Sequence, residues 1–507
     1  MQGLLDKQLL FLFCMPLFFL LHGINENFGL IPFNVILRLS LFYISITIIV
    51  IFLSVVILRT AAKAAVFSLY LLSIFFLFGA FHDFLKSIAL PPVLSSYSVL
   101  LPLMIVITFV LVFYLKKQRK SNTSTIRYFY YLMIVFVFME ITALIYNETT
   151  NVGFHNELSK KVNFTNLGNQ IRKERPDIFF IVLDGYTSSK CLSEEFNYQN
   201  SEIDSLLSKN KFYSSSSSES NYNVTPFSLS STMNLDYLKS GLEKQIVSSK
   251  VFLQAIETFK ENQLVKFLKS QGYDIKNFGC FDLSNALCKT DPYFIDLYFH
   301  QINQQTLTAR IMRDIGWNFA IKNIFTGTFK VPDSYRKSKA YHIYRNNYNW
   351  AGLMNELSVS SNTPRFVYVH LMLPHEPFFL DSNGNSYSDT SILLNKIDLK
   401  EGYLGQLKYA NTLLKDMIPK VSKDLGRDKV VIIEGDHGYR DFDEKVPKSK
   451  VFMNLNAYYF SDGDYTLLYD SISPVNTFRV VLSKYFSQSL PAIKDSSVYL
   501  INDIDIQ

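Results

Sequence analysis

The sequence predicts a two-part protein, a polytopic α-helical membrane bundle followed by an α/β domain on a mainly parallel sheet. Two observations carry this. Apolar residues crowd the first 150 positions, in runs that approach the roughly 20 residues needed to cross a bilayer. Beyond them, short β-branched runs end repeatedly in Gly with an acid or a His. That is the pattern of buried parallel strands, which present chemistry at their carboxyl ends. A length of 507 residues argues against a single domain. The formal charge of +6 is small for that length and gives no ground for a nucleic-acid partner. The four cysteines, Cys14, Cys191, Cys280 and Cys288, show no zinc spacing. Cys280 and Cys288 flank a loop, which suits a disulfide in an oxidising compartment and equally two free thiols.

Five apolar runs precede the polar part, at about 8–23, 40–58, 64–84, 97–115 and 128–146. The first is short enough for a signal peptide. Its charge is weak, no small-residue cleavage site follows, and other spans come after it, so it is read as retained. Lys7, then Arg59 and Lys63, then Lys116, Lys117, Arg119, Lys120 and Arg127 fall on one side. The opposite loops carry only Arg38 and Lys86. Positive loops stay in the cytoplasm, so the N-terminus is expected inside and everything after about residue 148 outside. The expected boundaries are a transmembrane domain at 1–147, a polar linker at 148–175 and an extracytoplasmic domain at 176–507. Glu140 and the His82-Asp83 pair lie near the bilayer, and Glu140 suits an interface or a pairing with another helix, with a buried functional carboxyl as the alternative.

In the outer part, Ile178 to Leu183 reads as a buried strand ending in Asp184-Gly185. Asp184 suits a metal ligand or a turn cap. The serine tract Ser214 to Ser218 lies between a helix at 202–209 and another at about 226–238, and such tracts usually mean a flexible linker. Pro226 fits the first turn of the second helix, which makes Thr225 its N-cap. A hydroxyl there sits where the helix end favours negative charge, and beside a divalent ion it can act as a nucleophile. An ordinary capping Thr is the plain alternative.

Residues 248–270 read as one amphipathic helix, with Phe252, Ile256, Phe259, Leu264 and Phe267 facing the core. A strand starts near Tyr273. Residues 290–345 give no clear element, and Trp317, Phe319, Ile321 and Ile324 suit burial or a membrane surface. Arg365 to Leu371 is a third strand, with His370 near its end and His375 between Pro374 and Pro377. Prolines fix such a loop, and an imidazole there can bind substrate oxygens or protonate a leaving group. A helix at 401–422 leads to Val430-Val431-Ile432-Ile433, which ends in Glu434-Gly435-Asp436-His437-Gly438. Adjacent residues on a turn can both face one ion, which a strand forbids. Asp436 offers an anionic oxygen and His437 a nitrogen. Arg440 could reach a phosphate or sulfate as a forked donor.

Together, Asp184-Gly185, Thr225-Pro226-Phe227-Ser228, Leu373-Pro374-His375-Glu376-Pro377-Phe378 and Gly435-Asp436-His437-Gly438 resemble the sulfatase branch of the alkaline-phosphatase superfamily. With its multi-span anchor, the chain looks most like lipoteichoic-acid-synthase-type and phosphoethanolamine-transferase-type enzymes of bacterial envelopes. The resemblance covers roughly residues 176–485. It implies an alkaline-phosphatase-like α/β/α sandwich outside the bacterial cytoplasmic membrane. It implies one divalent ion (Mn, Zn or Mg) on Asp184, Thr225, Asp436 and His437, and Thr225 as nucleophile. His375 then belongs to the substrate pocket, with His370 and Arg440 as further substrate-binding candidates. A membrane phospholipid would be the donor and an envelope glycan or lipid the acceptor. True sulfatases carry Cys or Ser in a C/S-x-P-S-R motif that becomes formylglycine. This chain has Thr225 there and Leu229 at the arginine position. Formylglycine cannot form from Thr, so phosphoryl transfer is favoured. Asp184 stands where the transferases usually carry Glu. Two further readings are a phosphodiesterase or sulfuric-ester hydrolase that hands the group to water, and a non-catalytic membrane sensor or scaffold.

Overall fold

The computed structural model describes residues 7–88, 91–118, 123–150, 158–165, 175–239, 246–290, 295–315, 333–393 and 396–502. Arg119, Lys120, Trp317, Phe319, Ile321, Ile324 and most of the expected linker lie outside these residues. The chain divides into two compact units, residues 1–155 with 294–324, and residues 156–293 with 325–507.

The first unit contains helices α1 (Cys14–Glu26), α2 (Phe33–Leu58), α3 (Ala61–Ser87), α4 (Tyr97–Lys117) and α5 (Thr123–Thr149). Among the described residues four helices, α2 to α5, are long and apolar enough to cross a membrane, and α1 is shorter. Arg59 takes a left-handed conformation, φ 61°, which ends α2 and turns the chain straight into α3. Tyr43 of α2 is the hub of the bundle, edge-on to Phe19 at 5.6 Å and to Phe76 at 5.2 Å. Glu140 of α5 is held by α1, accepting from the Asn25 amide at 2.7 Å and meeting His22 Nδ1 at 2.9 Å. Two further helices, α6 (Ile295–Asn303) and α7 (Leu307–Ile315), belong to this unit although they lie within the stretch that the sequence assigns to the outer domain.

The second unit holds strands β1 (Asp177–Leu183), β2 (Tyr213–Ser214), β3 (Ile246–Val247), β4 (Asp274–Phe278), β5 (Arg365–Leu371), β6 (Lys429–Glu434), β7 (Asn456–Phe460) and β8 (Ile501–Asn502). Six form one sheet in the order β2-β7-β6-β1-β5-β4, and β3 pairs with β8. Strands β6, β1, β5 and β4 are parallel, β7 is antiparallel to β6, and β2 is antiparallel to β7. Every residue of β1, β5 and β6 is buried, because helices cover both faces. On one face Leu407, Leu414 and Ile418 of the helix Leu399–Val421 share a core with Phe179, Ile181, Val431 and Ile433. On the other, Phe478 meets Phe180 at 5.1 Å and Phe259 meets Tyr368 at 5.3 Å. The result is an α/β/α sandwich with a mixed sheet.

Several elements differ from the sequence expectation. The stretch 248–270 is two helices, Ser249–Lys260 and Gln263–Ser270, because the Asn262 side chain caps the second by accepting from Val265 N at 2.8 Å. The serine tract is built in rather than serving as a linker. Ser214 lies in β2, Ser218 is buried, and its hydroxyl donates to Ile472 O at 2.9 Å. A long helix, Asp333–Glu356, occupies part of the stretch that could not be placed. Its buried residues include Lys339, Arg345, Asn346 and Asn349, so no apolar stripe marked it. All four cysteines are free thiols.

Candidate active site

The register of the sheet builds the site. Val182 of β1 is level with Glu434 of β6 on one side and with His370 of β5 on the other. The loops leaving these three adjacent strands therefore carry Asp184, Asp436-His437 and His375 to one place. Gly185 makes this turn at φ +71°. Its amide donates to Asp436 Oδ1 at 3.0 Å, tying the β1 loop to the β6 loop. Gly435 passes so close to the Tyr186 backbone that a Cβ would lie 3.1 Å from its carbonyl carbon. The helix Thr225–Asn234 is brought in by Ser228, whose hydroxyl donates to Asp436 O at 2.5 Å. Val224, with extended dihedrals, is the cap of this helix and Thr225 its first residue, so the helix starts one residue earlier than the sequence suggested and Thr225 is not its cap. Thr225 Oγ1 lies 3.5 Å from Asp184 Oδ2 and 3.4 Å from His437 Nε2.

Hydrogen bonding fixes the role each imidazole can play. A carbonyl only accepts, so His437 Nδ1, 2.6 Å from Gly438 O, carries the proton. Its Nε2 lone pair then faces the centre, 3.5 Å from Asp184 Oδ1 and 3.6 Å from Asp436 Oδ2. Burial pushes the His437 imidazole below its ordinary pKa against the pull of Asp436, which keeps that lone pair available. For Asp184 burial works upward, but the neighbouring His375, His370 and His437 imidazoles, His370 through a hydrogen bond, outweigh it and hold the carboxyl well below the usual range.

The sequence candidates take different places. Asp184, Thr225, Asp436 and His437 converge. His375 joins them at the rim, its Nε2 3.8 Å from Asp184 Oδ1 and its side chain 14% exposed. Arg440 reaches the same rim, where it donates to His375 Nε2 and, at 3.4 Å, to Asn223 O. The His375 Nδ1 donates to Glu376 O, so its Nε2 is an acceptor that Arg440 already occupies. His370 does not line a substrate pocket. It is fully buried, its Nε2 donates to Asp184 Oδ2 at 3.0 Å and its Nδ1 receives the Tyr368 hydroxyl at 3.0 Å. With both nitrogens used, it orients Asp184 from behind.

Several residues that sequence reasoning missed hold the loops. Gln406 donates to His375 O at 2.8 Å, Asn349 to His370 O at 3.0 Å, and the Tyr403 hydroxyl to Gly185 O at 2.9 Å. Gln406 carried a signal, because it is a polar residue inside the apolar stripe of its helix between Tyr403 and Ala410.

The donor set fits a divalent cation. Asp184 Oδ1 and Asp436 Oδ2 are buried and, among the described residues, have no hydrogen-bond partner. Two such carboxylate oxygens are costly unless a cation takes them. Beside them stand a neutral imidazole nitrogen and a hydroxyl, a mixture suited to Zn²⁺, Mn²⁺ or Mg²⁺. Asp184, His375 and His437 can also bring one ligand atom each within 4.8 Å of one another.

No family model matches the chain and no curated relative matches it. Solved structures similar to it include the full-length lipooligosaccharide phosphoethanolamine transferase A (EptA) from Neisseria meningitidis. The two are 13% identical with a TM-score of 0.38, and the match covers 95% of each chain. The periplasmic domain of the phosphoethanolamine transferase EptC from Campylobacter jejuni is 13% identical, TM-score 0.37, over 64% of this chain and 93% of that one. The periplasmic domain of EcEptC from Escherichia coli, in complex with Zn, is 11% identical, TM-score 0.36, over 66% of this chain and 86% of that one.

Proposed function

We propose that the protein is a membrane-anchored, divalent-metal-dependent transferase. It moves a phosphoryl-linked headgroup, of phosphoethanolamine or phosphoglycerol type, from a phospholipid to a glycan or lipid of the bacterial envelope. The observation that carries this reading is Thr225 Oγ1, placed at a helix start 3.5 Å from Asp184 and 3.4 Å from His437. Asp184, Thr225, Asp436 and His437 would hold the cation, which when bound would lower the hydroxyl pKa and offset phosphate charge. Thr225 Oγ1 forms the new P–O bond as the lipid alcohol's bond to phosphorus breaks, and the alcohol leaves with a proton. An acceptor hydroxyl then attacks phosphorus, loses its proton and releases Thr225. The amino end of the Thr225 helix favours the negative charge that develops on the phosphoryl group. Arg440, at the rim beside His375, is placed to bind the other phosphoryl oxygens with its fork. His375 acts as an acid only after Arg440 leaves its Nε2. The membrane unit keeps the enzyme at the surface where donor phospholipids lie, with the second unit outside the cytoplasmic membrane.

Thr225→Ala is expected to abolish turnover of a labelled phospholipid while circular dichroism and the thermal midpoint, both measured in chelator, stay unchanged. In the native enzyme given donor without acceptor, peptide mass spectrometry is expected to find the headgroup phosphate on Thr225. Retained activity in Thr225→Ala would refute the nucleophile. Equal release to water with and without a glycan acceptor would move the assignment to a phosphodiesterase.

A further inference from the structure

The α6–α7 hairpin interrupts the catalytic part of the chain, yet its partners are the membrane helices. Its two helices expose little of one side: Tyr298, Gln301, Ile302, Thr306 and Arg310 are buried. The tip is polar, Asn303-Gln304-Gln305-Thr306, and each group that matters has a partner. The Tyr43 hydroxyl of α2 donates to Asn303 Oδ1. The amide of Gly79 in α3 donates to Gln305 O at 2.8 Å. Arg310 Nε donates to Gln304 O at 2.8 Å, and its two terminal nitrogens take both oxygens of Asp83 on α3, one of them at 2.9 Å. Tyr97 at the start of α4 donates to Asp314 at 2.6 Å.

Two glycines make room. A Cβ on Gly79 would lie 2.7 Å from Gln305 Cα, and one on Gly23 of α1 would lie 3.0 Å from Ile302. The depth follows from the helix rise. Tyr43 is about one and a half turns past Arg38, the last charge before the apolar body of α2, or ~7 Å. Gly79 is about one turn inside Asp83, or ~6 Å. Turns are tolerated at such depth only when their backbone groups are satisfied by protein, and at this tip the carbonyls of Asn303, Gln304 and Gln305 all accept from protein donors.

We propose that α6–α7 is an interfacial membrane anchor whose partner is a phospholipid leaflet. Its tip is wedged among α1, α2 and α3 about 6–7 Å inside the polar border, where headgroups meet acyl chains. Its exposed positions, Asp296, Thr308 and Met312, mix polar and apolar groups, as suits the headgroup level. Met312 is 64% exposed, and α3, to which the hairpin is pinned, exposes Phe81 at 50% and Phe84 at 59%. The chain therefore passes between the two units three times, and the second unit is bound to the membrane part by three covalent connections instead of one. This inference does not depend on the reaction proposed above.

The test uses the full-length protein in liposomes. Met312→Trp is made in a background in which Trp317 and Trp350 are changed to Phe, and Phe109→Trp on α4 serves as the lipid-facing reference. Brominated phospholipids are expected to quench the tryptophan at 312, most strongly when bromine sits near the headgroup end of the chain, while aqueous iodide quenches it weakly. Strong iodide quenching with no effect of bromine would overturn the anchor. As a second measurement, Asp83→Arg and Arg310→Asp are each expected to lower the thermal midpoint, and the double exchange to recover at least half of the loss. A double exchange no better than either single would show that the hairpin does not dock on α3.

Discussion

Asp184 divides its two oxygens between two tasks. Oδ2 is fixed by His370, and Oδ1, beside His437, has no hydrogen-bond partner among the described residues. That division explains why a fully buried His serves the site without touching a substrate. Glu434, two positions before Asp436, is a different kind of buried acid. Among the described residues its Oε1 has no hydrogen-bond partner and its Oε2 accepts from the Thr477 hydroxyl at 3.3 Å. Burial pushes its carboxyl up to about 8, with the Thr477 hydroxyl working downward and the Asp436 charge upward. The folded pKa is above the unfolded value of 4.5, so the folded state holds the proton more tightly. The stabilisation is complete below about 4.5 and is lost as pH rises through about 8. Glu434→Gln cannot titrate. In chelator, urea titrations of the wild type are expected to lose a few kcal/mol relative to Glu434→Gln between those limits. Parallel pH curves for the two proteins would show that Glu434 is ionised in the fold.

At the scale of elements, the sheet places chemistry at one end and a lock at the other. Arg365, at the start of β5, donates to Asp177 at the start of β1 at 2.6 Å and to Glu356 at 2.8 Å, and Arg365 and Asp177 are both buried. Removing Asp177 leaves the buried Arg365 with Glu356 as its remaining acid, so Asp177→Ala is expected to cost about 3 kcal/mol in urea unfolding, the low end for a broken buried pair. Seven-residue strands separate this lock from the site by roughly 20 Å. Zinc affinity of the folded variant is therefore expected to stay within about twofold of the wild type, and a large loss would mean that the two ends are coupled. Strands β1, β5 and β6 were legible because both of their faces are buried: β1 and β6 carry unbroken apolar runs, and the run of β5 is interrupted only by His370. The helix Asp333–Glu356 was not, because its inward residues include Lys339, Asn346 and Asn349. The strand β7 pairs antiparallel to β6, extends the sheet past the parallel core and is absent from the sequence expectation.

At the scale of the whole molecule, the two units answer to different solvents, and only the second is expected to respond to metal. A cation that binds the folded site and not the unfolded chain stabilises by mass action, on the order of 4 kcal/mol at a thousandfold excess over Kd. Chelator is expected to lower the thermal midpoint of the full-length protein, and zinc or manganese to restore it. In Asp436→Asn and in His437→Ala that response is expected to vanish. A midpoint indifferent to chelator in the wild type would remove the cation from the site. The hairpin α6–α7 adds a second consequence, since a segment within the outer half of the sequence folds with the helices of the first unit.

The sequence by itself determined the apolar spans, the strand runs and the residues that stand where those strands end, because burial on both faces writes itself as continuous hydrophobicity and glycine marks the sharp bends. It also picked out Asp184, Thr225, His375, Asp436 and His437 as candidates. Only the tertiary structure decided which nitrogen each histidine offers, that His370 stands behind Asp184, that Arg440 caps His375, and that residues 295–315 belong with the membrane helices. Those outcomes depend on hydrogen bonds and ion pairs between residues far apart along the chain, and such contacts leave no periodic trace in it.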